Sequence, residues 1–140
     1  MRAPAGAYII AVFFTAVWLF SLGSVIYVLF FRLTPEMRHQ LTGAAPALAS
    51  LALADLNGLL MTVASWLLVG MRRIGAGLML ASTVLLAGLC ALSWPVLLHR
   101  LSASPTHEGL RPLLLGGSNL VLHIAATVYA FRLNSKGLLR

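Results

Sequence analysis

The chain has 140 residues, of which 60% are hydrophobic and 9% charged, whereas about a quarter of the residues in soluble domains are charged. With a mean hydropathy of +0.94 it belongs in lipid. The formal charge of +7 does not point to nucleic acid, because the ten Lys and Arg residues stand singly or as one pair at the ends of apolar segments.

A hydrocarbon core of about 30 Å takes about 20 apolar residues per helix, so four spans with short connections use nearly the whole chain. The expectation is an all-α, polytopic membrane protein: a four-helix transmembrane bundle with short loops, one domain over residues 1–140, and no soluble domain.

The first apolar run, 7–31, is longer than the apolar core of about 7–15 residues in a cleaved signal peptide, so it reads as a retained helix. Arg32 ends it, and a loop with Pro35, Glu36, Arg38, His39 and Gly43 follows. The second helix, 46–71, opens on Pro46, where a missing N–H costs nothing. Arg72 and Arg73 form the whole next connection and force a tight antiparallel hairpin with the third helix, 74–98, which carries Pro95 near its end. Residues 99–111 read as a loop, 112–131 as the fourth helix, and Arg132, Asn134, Lys136 and Arg140 as a basic tail. The exits Arg32-Leu33-Thr34-Pro35 and Arg100-Leu101-Ser102 resemble each other, as a duplicated hairpin would leave them.

Six cations, Arg2, Arg72, Arg73, Arg132, Lys136 and Arg140, share the side that holds both termini, against Arg32, Arg38, Arg100 and Arg111 on the other. Positive charge favours the cytoplasmic face, so both termini are expected there, in an inner or plasma membrane.

The least expected residue is Asp55, a carboxylate inside the second span. On biological insertion scales an Asp at mid-membrane costs about 2.5–3.5 kcal/mol, so it belongs to a bundle interior, a wet cavity or a partner contact. Asp55, Gly58, Thr62 and Ser65 are three, four and three residues apart and share one stripe, while Asn57 points elsewhere. Gly116, Asn119, His123 and Thr127 make a second polar stripe on the fourth helix. Asp55 lies nine residues past Pro46, and Asn119 and His123 seven and eleven past Pro112, so a contact from Asp55 to either is natural at 1.5 Å per residue. Such a contact is either a polar clasp between helices, a contact with another subunit, or part of a proton or cation path.

Small residues at Ala47, Ser50, Ala54 and Gly58, at Gly77 and Ala81, and at Ala87 and Ala91 mark faces for close helix approach. Cys90, the single cysteine, excludes an intrachain disulfide and any CxxC redox or zinc motif. Among the four histidines only His123 is intramembrane, so one chain cannot give bis-histidine haem ligation. No cofactor is expected, although His123 is of the type that holds a pigment, or a haem shared with a partner chain. No GxSxG, HExxH, P-loop or paired-carboxylate pattern occurs, and Glu36, Asp55 and Glu108 are the only acids.

The expected role is therefore non-catalytic: a small accessory or structural subunit packed against other integral membrane subunits, for example in energy transduction. The alternative is a homo-oligomeric transporter or channel whose polar path is formed by the second and fourth helices.

Overall fold

Four helices hold nearly all of the described chain. The computed structural model describes residues 3–27, 45–103 and 107–139. They are α1 (Ala5–Tyr27), α2 (Ala45–Val69), α3 (Arg73–Ala103) and α4 (His107–Ser135), each containing a stretch long and apolar enough to cross a membrane. Among the described residues there is no strand. Their outward sides carry large apolar side chains such as Phe20, Leu92, Leu114 and Val121, as spans that face lipid do, while polar side chains of α2, α3 and α4 gather inside.

The chain runs up and down, so the N-terminus, the α2–α3 turn and the C-terminal tail share one end. α2 packs between α1 and α3, and α3 between α2 and α4. The ring closes where Tyr129 of α4 lies over Gly6 of α1, so near that an added Cβ would stand 2.5 Å from its hydroxyl. It closes again where the rings of Phe14 and His123 meet edge to face at 5.0 Å.

Two helix ends at the terminal side use the same device. Arg72 N–H bonds to Leu67 O at 3.0 Å and Met71 N–H to Leu68 O at 2.9 Å, a Schellman closure in which Met71 takes a left-handed φ of 58°. At the end of α4, Leu138 N–H bonds to Leu133 O and Gly137 N–H to Asn134 O, with Gly137 at φ 67°. The tail then returns to the hairpin, where Arg73 Nε donates to Leu139 O at 3.1 Å.

The second helix stops at Val69 rather than Met71 because this closure takes up the last residues. The larger departures lie at the other end. α3 continues through Pro95 to Ala103, and α4 starts at His107, so most of the stretch expected as a loop, 99–111, is helical. Hydropathy marks where hydrocarbon ends, and a helix can continue past that level. The expected end of the first helix at 28–31, the loop after it and the Arg32 exit lie outside the described residues.

The core sits toward the terminal end and is built from Ala7, Phe14, Met61, Ala64, Leu68, Ala76, Met79, Ala126, Ala130, Leu133 and Leu139. Gly75 sets the α2–α3 distance: a Cβ there would stand 2.8 Å from Ala64 O and 2.9 Å from Leu68 N. The other small residues of α3 noted in the sequence lie on its outer side, where they are free to pack on a neighbour rather than within the bundle. Gly77, Ala81, Ala87 and Ala91 all face outward, and nothing lies within 4 Å of a Cβ placed on Gly77.

Candidate functional site

Phe14, Trp18 and Ser21 recur at helical spacing on α1, as do Asp55, Gly58 and Thr62 on α2, and antiparallel packing sets one stripe on the other. Ser21 Oγ donates to Asp55 Oδ1 at 3.0 Å. Trp18 covers Gly58, where a Cβ would stand 2.9 Å from its Cδ1. Thr62 Oγ1 bonds Gly58 O at 2.9 Å in its own helix and lies 3.3 Å from Phe14 O. The Asp55 stripe therefore faces α1, since α2 lies between α1 and α3 and meets α4 only across the interior.

Asn57 belongs to another face of α2 and is buried. Ser82 Oγ donates to its Oδ1 at 2.8 Å and stands 3.5 Å from His123 Nδ1. Ser82 has one proton, and with that proton on Asn57 its lone pairs match the Nδ1–H tautomer of His123. Beside this link the hydroxyls of Thr83 and Thr127 meet at 2.8 Å, and both approach Met79 O, at 2.8 and 3.3 Å. Among the described residues no buried side-chain nitrogen or oxygen lacks a partner.

Between these contacts lies a cavity of about 140 Å³. Asp55, Asn57, Asn119 and His123 all line it, with Phe14, Trp18 and Ser21 from α1 and Leu86 from α3. The structure thus brings four of the six expected polar residues to one space. Thr62 and Thr127 lie outside it and fasten α2 to α1 and α4 to α3. The link expected between Asp55 and α4 takes the form of a shared cavity, while the hydrogen bond of Asp55 goes to Ser21.

Sequence reading passed over Ser21, Ser82, Thr83 and Trp18. Ser82 and Thr83 form an adjacent hydroxyl pair at mid-span, flanked on both sides by apolar residues, a signal available beforehand. Ser21 carried none, because serine is common in spans and usually bonds its own helix, as Ser24 does to Phe20 O.

The chemistry open to this site is narrow. Ser82 beside His123 has the composition of a nucleophile and its base, yet Ser82 is fully buried and its proton goes to Asn57. Among the described residues no three of His, Cys, Asp and Glu converge as metal ligands. His123 is 2% exposed, so an axial bond to a pigment or shared haem would require the bundle to open.

Four membrane-length helices with a polar interior define an integral, multi-pass membrane protein. Comparison with protein families, with curated proteins and with solved structures finds no match for the chain.

Proposed function

We propose that the protein is a small non-catalytic accessory subunit of a larger integral membrane complex, such as an energy-transducing one, and that a partner helix docks on α3. The observation that carries this is an outward seam on that helix. Gly77, Ala81, Val84, Gly88, Ala91 and Pro95 recur at alternating spacings of four and three, and all six are exposed. Nothing lies within 4 Å of a Cβ placed at Gly77 or Gly88. The glycines and alanines of this seam let helix backbones approach closely, a source of association in lipid, where burial of apolar surface gives no driving force.

The interior supports the same reading. Beyond Thr62 and Thr127 the bundle is filled by Ala64, Leu68, Ala76, Ala130 and Leu133, and the buried Ser65 hydroxyl there is bonded to Thr62 O of its own helix, an arrangement that argues against a polar path through the terminal side. The described side chains at that end include Arg72, Arg73, Arg132 and Lys136, in keeping with a cytoplasmic location for both termini in an inner or plasma membrane.

The test is purification in gentle detergent with mass spectrometry of co-migrating proteins, for the natural chain and for Gly77→Leu, Ala81→Leu and Gly88→Leu. These positions have room, so the fold survives while a partner at fixed stoichiometry is lost. Unchanged co-migration would remove the seam as the docking face.

A second reading, a homo-oligomeric transporter or channel, is favoured by the cavity at Asp55. It requires the apolar packing on the terminal side to open, and a monodisperse oligomer that carries ions across liposomes would establish it.

A further inference from the structure

We propose that the Asp55 cavity is a binding site for a small primary alkylammonium ion. This goes beyond the accessory role, and it holds whether or not the chain docks on a partner.

Three features of the cavity define that ligand. Asp55 is half-buried within the apolar span of α2, and its one hydrogen bond among the described residues comes from Ser21. A carboxylate within an apolar span and with so little compensation favours a positively charged partner. Asn119 also lines the cavity, is half-buried, and its side chain makes no hydrogen bond among the described residues. In the Nδ1–H tautomer that matches a Ser82 proton given to Asn57, His123 Nε2 carries a lone pair. The carboxylate, an amide oxygen and an imidazole nitrogen are three acceptors, and an –NH₃⁺ group offers three donors.

The rest of the wall suits an alkyl group. Leu86 and the indole of Trp18 face the same space, and an aromatic face adds attraction for a cation. The volume, about 140 Å³, is close to the roughly 150 Å³ at which a protein cavity takes up benzene, so about six heavy atoms fit. Other cations fit less well. A quaternary ammonium has no N–H and would leave the acceptors unmatched, while Ca²⁺ asks for about 6–8 oxygens and Mg²⁺ for a near-octahedral set.

The test uses the full chain in detergent micelles with Trp66→Phe and Trp94→Phe, so that Trp18 alone fluoresces. n-Butylammonium chloride is titrated against n-butanol, its neutral counterpart of equal size, and against sodium chloride. The expected result is a saturable change in Trp18 emission with butylammonium at concentrations at least tenfold below any effect of butanol or sodium. It is lost in Asp55→Asn, and also in Ala54→Leu, which fills the cavity from an exposed position and keeps the carboxylate. An equal response to butanol would make the cavity merely apolar, and an equal response to sodium would make it an inorganic ion site. Either result overturns the proposal, as would no response to butylammonium or a response that survives in Ala54→Leu.

Discussion

Ser82 Oγ stands 2.8 Å from Asn57 Oδ1 with both side chains buried, and this one contact ties α3 to α2 at mid-span. Because the same hydroxyl approaches His123, α4 is tied in as well. Water cannot replace a lost partner in such a place, so each of the groups depends on the others.

Ser82→Ala should therefore destabilise the bundle, and so should Asn57→Leu, which leaves the Ser82 hydroxyl only the longer contacts to the residue 57 backbone oxygen at 3.4 Å and to His123 at 3.5 Å. The double variant should recover part of the loss. Interhelical hydrogen bonds in membranes couple by about 0.6 kcal/mol on average and up to about 1.7, so a coupling within that range is expected from a double-mutant cycle in detergent unfolding. Additive effects would mean that the two side chains do not share a bond.

Asp55 should couple to Ser21 more strongly than to His123, since the hydrogen bond goes to the first and the cavity separates the second. Asp55→Asn should be well tolerated, because an amide oxygen still accepts from Ser21. Asp55→Leu should cost more, and Ser21→Ala should reduce that extra cost. Two cycles on the same unfolding assay rank the pairs. A larger coupling to His123 would show that the cavity closes in solution and that Asp55 reaches α4.

Neighbouring glycines of α3 should behave in opposite ways. Gly75→Ala places a methyl 2.8 Å from Ala64 O, a backbone atom that cannot move alone, so α2 and α3 must separate. Overpacking of this kind costs about 1–3 kcal/mol. Gly77→Ala meets open space and gains helix propensity worth up to about 1 kcal/mol, so it should be neutral or stabilising in the isolated protein. Thermal unfolding of the two variants side by side measures the difference.

The pattern of success in reading the sequence follows from what each signal encodes. Four spans were legible because hydrocarbon thickness dictates a run length, and composition alone reveals it. The Gly116, Asn119, His123 and Thr127 stripe was also legible, since period and polarity coincide on α4: His123 and Thr127 are buried, Asn119 lines the cavity, and Gly116 lies against Trp94. Which neighbour a stripe faces was not legible. Spacing placed Asp55, Gly58 and Thr62 on one side of α2, but only the order of helices around the bundle shows that side to be the α1 side. The roles of Gly75 and Gly77 were likewise hidden, because two positions on a helix differ by about 200° of rotation and hydropathy weighs both glycines equally. Helix ends failed where polar residues continue a helix beyond the membrane, as around His99 and His107.

Orientation rests on charge, and it gives the last prediction. The chain's antiparallel course puts Arg72, Arg73, Arg132 and Lys136 at one end, with Ala5 and the Leu138–Leu139 tail. Translocating such a cluster is unfavourable, so this end should stay in the cytoplasm. Cys90 is buried, and replacing it with Ala gives a background free of thiols. Single cysteines introduced beside Arg72 and beside Lys136 should then react with a membrane-impermeant maleimide from the cytoplasmic side of inverted vesicles. Cysteines beside Arg38 and His107 should react only from the opposite side of intact cells. Labelling with the sides exchanged would invert the protein, and mixed labelling at one site would indicate dual insertion. Adding two Lys residues beside Arg38 should then shift the population, because the Lys and Arg count would change from six against four to six against six.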